Sequence, residues 1–133
     1  MFRTVASITA PVSLGLGLAG IAFPQPLAAS FGLTLGDPLS RSLARLACAS
    51  FVGYGVLNWL ARDLTDAPAQ RAIAIGNATG WLGGGGVTLA ALITSSMGSA
   101  ATWSIVALQS VVTGAWLAVL LQARRPMPST APG

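Results

Sequence analysis

The sequence contains no histidine, no lysine and no glutamate, and only 8% of its residues are charged. A soluble domain carries roughly 25%. Each shortage excludes something. Without histidine the usual general base, the commonest metal ligand and one type of haem axial ligand are missing. Cys48 is the sole cysteine, so neither an intrachain disulfide nor a CxxC redox centre can form. Serines occur without a histidine or lysine to activate them, which argues against a hydrolytic nucleophile. A catalytic metal site lacks ligands. The acids Asp37, Asp63 and Asp66 fall in loops or at a helix start, so no carboxylate is placed to carry protons within a membrane. The expectation is a non-enzyme, with no catalytic residue and no metal.

Apolar residues are what the chain has in excess: 53% are hydrophobic, over 133 positions, and the mean hydropathy is +0.72. This is the composition of an integral membrane protein. A spanning helix needs about 20 apolar residues, so four fit with short loops and no soluble domain. The pI near 11.3 rests on few charges, placed at segment ends as membrane topology uses them. Nucleic-acid modules instead gather Lys and Arg on one face, so no nucleic-acid partner is expected.

The pattern predicts an all-α bundle of four transmembrane helices in one domain, 1–123, with spans at about 4–23, 38–61, 69–95 and 100–122, and a short disordered tail at 124–133. Pro24 and Pro26 end the first span; a signal peptide is the rival reading of it, since Arg3 precedes an apolar run. Residues 24–36 are too short to cross and read as an interfacial helix, or a loop lying on the membrane. Asp37-Pro38 is a helix start, with Asp as cap and Pro at the first helical position. Asp66 and Pro68 give a similar signal for the third span. No charge occurs over 72–123, so that stretch must break, and 95–99 is the natural place.

Arg3, Arg62, Arg71, Arg124 and Arg125 gather on one side, and Arg41 and Arg45 on the other. The positive-inside rule then predicts both termini in the cytoplasm. Trp59 and Trp116 at one face and Trp103 at the other fit an aromatic belt; Trp81 falls mid-span, which a belt does not explain.

Three groups of residues are candidates for function. Gly76, Gly80, Gly83 and Gly84 give the third span a face that lets another backbone approach closely, either within the chain or from a partner. Successive glycines at 83–86 weaken a helix by roughly 1 kcal/mol each relative to Ala, so a kink or local unwinding is expected there. Arg41 and Arg45, four apart, form a candidate headgroup or anion contact, with Asp37 spaced to pair with Arg41. Tyr54, Asn58, Asn77, Trp81 and Gln109 are polar or amphipathic groups within the spans. They read as interhelical bonding partners, or as contacts for a lipophilic molecule such as a quinone, carotenoid or lipid. Cys48 reads as a small packing residue.

The stretches PLAASFGLTLGDP (26–38), RSLARLACASFVGYGVLNWLARD (41–63) and RAIAIGN (71–77) resemble small bacterial four-helix membrane proteins of the DoxX-like and related families. The resemblance covers about residues 10–122 and rests mainly on Gly, Ala and Arg at helix ends. Some members of that group are regarded as subunits of quinone-linked oxidoreductases. The resemblance implies an accessory or ligand-holding role and carries over no catalytic residue. Small multidrug antiporters share the size, but depend on a glutamate in the first helix that this chain lacks.

The leading expectation is a non-enzymatic accessory or scaffolding subunit. It would pack through glycine-rich faces into a larger membrane complex, such as an energy-transducing one, among membrane lipids and with other subunits or copies of itself. The alternative is a binding protein for a lipophile; a small channel or transporter comes third.

Overall fold

Capping chemistry sets the helix boundaries. The computed structural model describes residues 1–94 and 100–122, and the expected break at 95–99 and tail at 124–133 lie outside them. Among the described residues the chain forms five helices: α1 (Phe2–Ala22), α2 (Pro24–Ser30), α3 (Pro38–Ala61), α4 (Ala67–Thr94) and α5 (Ala100–Gln122). Phe23 closes α1 by donating its N–H to the Ala19 carbonyl at 2.7 Å, and Pro24 starts α2 at once. α2 ends in paired bonds, Leu33 N–H to Ala28 O at 2.9 Å and Gly32 N–H to Ala29 O at 3.0 Å. Gly32 sits at φ +74°, the left-handed position such a helix end requires.

Asp37 caps α3 reciprocally: its Oδ1 accepts from Ser40 N–H at 2.9 Å, and Ser40 Oγ accepts from Asp37 N–H at 3.4 Å. The Ser40 bonds, backbone first, hold the Asp37 carboxyl below its ordinary value. The cap is therefore complete above the usual carboxylate range and is lost as pH falls through the lowered value. The Asp37–Arg41 pair expected from spacing does not form; the carboxylate is engaged by the cap. Asp66 caps α4 through Ala69 N–H at 2.8 Å, as the sequence predicts.

Three helices, α1, α3 and α5, are long and apolar enough to cross a membrane, which points to a membrane protein. α4 has 28 residues and so runs about 42 Å. Its glycines, Asn77 and threonines dilute its apolar side chains. It stays α-helical through 83–86, and the expected unwinding is absent. In apolar surroundings a released backbone group finds no water to bond, so the intrahelical bonds outweigh glycine's weak helix propensity.

The helices pack as two close pairs, α1 with α3 and α4 with α5, which meet less intimately. In the α1–α3 seam, a Cβ on Gly17 would stand 2.7 Å from Val52 N and 2.8 Å from Cys48 O. One on Gly55 would stand 2.9 Å from Ala10 O and from Leu14 N. Gly20 lies equally tight on Cys48. At Gly17 and Gly55 backbone meets backbone, so added atoms cannot be accommodated by a rotamer change.

One end of the bundle gathers the start of α1, the end of α3, the start of α4 and the end of α5. Arg3 and Arg62 both reach Asp63, at 3.1 and 3.2 Å, and Arg62 stacks over the Trp59 ring at 3.6 Å. Phe2 meets Trp116 edge-on, centroids 5.8 Å apart. Trp116 is wholly buried, which corrects its assignment to an aromatic belt: the N-terminal turn of α1 covers it. Trp59 and Trp103 are exposed, as a belt requires.

Gly17→Ala and Gly55→Ala are expected to lower stability by about 1–3 kcal/mol through overpacking. Gly76→Ala, with nothing within 4 Å of its added Cβ, should be neutral or stabilising by up to ~1 kcal/mol. Unfolding in detergent, followed by circular dichroism, distinguishes the two outcomes.

Candidate functional site

Where α3 faces α4, the two asparagines pair. Asn58 Nδ2 donates to Asn77 Oδ1 and Asn77 Nδ2 donates to Asn58 Oδ1, both at 2.9 Å. The second Asn58 N–H goes to Thr9 Oγ1 on α1 at 3.2 Å, and the second Asn77 N–H to Ile73 O at 3.0 Å. Thr9 in turn donates to Val5 O at 2.9 Å. Both amides are fully buried, and all four of their N–H groups are used. Asn58 and Asn77 thus act as an interhelical bond among α1, α3 and α4, leaving no N–H free for a ligand.

Beyond this pair, moving away from the α3–α4 loop, the helices part and an apolar cleft opens. It has a volume of ≈ 390 Å³ and is walled by α1 and α3 on one side and by α4 and α5 on the other, with α2 across its end. Leu27, Ala28 and Phe31 line the α2 side, Cys48 and Phe51 the α3 side, and Trp81 and Gln109 the opposite wall. A smaller extension adds Tyr54, Gly80 and Gly84. Phe51 and Trp81 stack obliquely across the gap, centroids 5.5 Å apart. Thr102 Oγ1 donates to Phe31 O at 3.2 Å, tying α5 to the end of α2.

Glycine makes the room for these side chains. A Cβ on Gly80 would stand 2.6 Å from the Tyr54 hydroxyl oxygen, and one on Gly84 would stand 3.1 Å from Gln109 Nε2. These two glycines therefore serve the interior of the chain. Gly76 and Gly83, on the same helix, are exposed, with nothing within 4 Å of an added Cβ. The α1–α3 glycines were not singled out from the sequence. A signal for them exists, because Ala6, Ala10, Ser13, Gly17 and Gly20 recur at spacings of three and four, the period of one helix face.

Gln109 is 7% exposed, and its Oε1 is sealed from solvent without a hydrogen-bond partner among the described residues. Of the groups expected as contacts for a lipophilic molecule, the structure gathers Tyr54, Trp81 and Gln109 at the cleft, and separates Asn58 and Asn77 from it. Arg41 and Arg45 stand near the start of α3. Arg41 is half-buried, its Nε without a partner among the described residues, and Arg45 is exposed. No group of three metal-ligating side chains occurs among the described residues.

Replacing Asn58 by Leu is expected to destabilise the protein by ~1–3 kcal/mol, because Asn77 is left buried and unpaired. Asn77→Leu should cost a similar amount. The double variant should lose less than the sum, by a coupling of about 0.5–2 kcal/mol. Strict additivity in an unfolding double-mutant cycle would show that the pair contributes no bond.

Comparisons with protein-family models, with curated proteins and with solved structures give no match to this chain.

Proposed function

We propose that this chain is a non-enzymatic membrane subunit that docks through α4 into a larger membrane assembly. One observation carries the reading. α4 alone of the four long helices is not among those apolar enough to be counted as membrane-crossing, and it turns Gly76, Gly83 and Gly86 outward, all exposed and with nothing within 4 Å of an added Cβ. Thr79 lies on the same face and is also exposed. A helix with such a face gains little from lipid, whereas a second helix can approach it closely enough for extensive backbone contact. The partner is another membrane subunit or a second copy of the chain.

In this reading α4 also crosses the membrane, as the third of four spans, and α2 lies at the membrane interface. The end carrying Arg3, Arg62 and Arg71 faces the cytoplasm of a bacterial inner membrane, because arginine is enriched on that side. The gathering of those arginines at one end of the bundle supports a single orientation. An accessory role also agrees with the resemblance to DoxX-like proteins, and with the scarcity of residues able to act as acid, base or nucleophile.

Gly83→Leu tests the proposal, because it adds bulk to the outward face at a position where an added Cβ has nothing within 4 Å. Native mass spectrometry after gentle extraction from the native membrane should find the wild-type chain in a complex and the variant free of it, with thermal unfolding of the isolated chain unchanged or shifted slightly upward. A wild-type chain recovered only as a bare monomer, or a complex that survives Gly83→Leu intact, would overturn it.

A further inference from the structure

We infer that the cleft between the α1–α3 and α4–α5 pairs binds an apolar molecule that carries a carbonyl, whose oxygen accepts from the Gln109 amide N–H and the Tyr54 hydroxyl. The site lies in the interior of the chain and does not involve the outward face of α4.

Two independent observations meet at this place. The first is space: ≈ 390 Å³ lies within the roughly 300–1,000 Å³ of small-molecule sites, and the walls are almost entirely apolar. The extension between α3 and α4 has ≈ 230 Å³, and Ala47, Phe51, Trp81 and Gln109 line both. The second is a pair of donors that end there without a partner. Gln109 is more than nine-tenths buried, and neither its Nε2 nor the Tyr54 hydroxyl makes a hydrogen bond among the described residues. Two glycines one turn apart on α4 set their positions. The Tyr54 hydroxyl oxygen is the atom nearest a Cβ on Gly80, at 2.6 Å, and Gln109 Nε2 is the atom nearest a Cβ on Gly84, at 3.1 Å. All four residues line the extension. The Gln109 oxygen is sealed from solvent, so the amide meets the pocket through its nitrogen.

Depth makes this an unmet demand. α3 is long and apolar enough to cross a membrane, and Tyr54 lies midway between Arg45 and Arg62, about 12–14 Å along the helix from each. No water bonds polar groups at such a depth, and an unsatisfied donor there costs ~1–3 kcal/mol. Asn58 and Asn77 escape that cost by pairing; Tyr54 and Gln109 do not. Both of these groups donate, so what enters supplies the acceptor. A carbonyl oxygen has two lone pairs, one for each donor, and brings no proton of its own. A hydroxyl brings a proton that needs an acceptor in turn, and the Gln109 oxygen is closed to it. A bare hydrocarbon leaves both donors unpaired. The ester carbonyls of bilayer lipids stay at the edge of a core about 30 Å thick and stop short of this depth. A free apolar ketone fits both the walls and the donors.

The test compares 4-hexylacetophenone with 1-hexyl-4-isopropylbenzene on the detergent-purified full chain, by competition against the tritiated ketone. The two probes match in bulk, but only the ketone accepts a hydrogen bond. The wild-type chain should bind the ketone about tenfold more tightly, the equivalent of one hydrogen bond to a buried donor. Gln109→Leu should remove most of that preference, and Tyr54→Phe, which keeps the ring, should narrow it. The hydrocarbon should bind both variants as it binds the wild type, which also shows that they are folded. Excess dioleoylphosphatidylcholine should leave the ketone bound. Equal affinity of the two probes for the wild type would reduce the cleft to a crevice for lipid tails and overturn the inference. So would failure of the ketone to bind, or a preference unchanged in either variant. Displacement by the phospholipid would assign the cleft to lipid esters and overturn it as well. The wild-type comparison decides the matter even if neither variant folds.

Discussion

Inside an apolar bundle an amide side chain has few partners within reach, and Asn58 and Asn77 take each other. Each donates one N–H across the α3–α4 gap and the other to a fixed acceptor, Thr9 or Ile73. The arrangement has directional consequences that packing alone would not produce. Rotating α3 or α4 about its axis by one residue would move an amide away from its partner and leave buried N–H groups unmet. The cluster therefore fixes how α3 and α4 are turned toward each other, beside the seams that join α1 to α3 and α4 to α5. Toward the loop between α3 and α4 the helices close on it, with Ala61, Ala74 and the Phe2–Trp116 contact. Away from that loop nothing comparable joins α3 to α4, and the cleft begins.

Glycine does two different things in the chain, and the difference is one of neighbours. On α1 and α3, Gly17 and Gly55 bring two backbones together, which is how helices without a hydrophobic driving force gain contact in lipid. On α4, Gly80 and Gly84 make room for side chains, a tyrosine from α3 and a glutamine from α5. Gly76, Gly83 and Gly86 are occupied by neither. A single helix thus carries an inward glycine face that is already used and an outward one that is not, which is the asymmetry behind the proposed docking role.

Much of the fold is legible in the sequence because its signals are local. Asp37-Pro38 and Asp66 mark helix starts by side-chain capping, Pro24 marks a stop, and the long uncharged stretches mark apolar helices. The character of α2 is visible from its length, since 24–36 cannot cross a membrane. What was not legible depends on which helix faces which. The glycine run at 83–86 predicts weakness from propensity, yet the helix persists, because propensity measured in water overstates the gain from releasing backbone bonds in apolar surroundings. Trp116 has the position of a belt residue along its helix, but its place around the helix axis, turned toward Phe2, decides its burial. Asn58, Asn77 and Gln109 look equivalent as isolated polar residues in apolar segments; only the packing pairs two of them and leaves the third.

That pairing explains why the cleft lies where it does. α3 and α4 are joined by a short loop, 62–66, and pinned a few turns later by the asparagines. Past the pin, the bulk that separates them is aromatic, with Phe51 and Trp81 side by side rather than interlocked. α2 then spans the wide end, held to α1 and α3 by the chain and to α5 by the Thr102–Phe31 bond. The cleft lies between the amide pair and the short helix α2, and Trp81 of the core, with Leu16, Phe51 and Leu108 packed against it, forms part of its wall. Close packing normally removes such volume. Here the tight α1–α3 seam sets the position of α3, and the α4–α5 pairing sets the position of α4, so neither helix can collapse onto the other without breaking a contact made elsewhere.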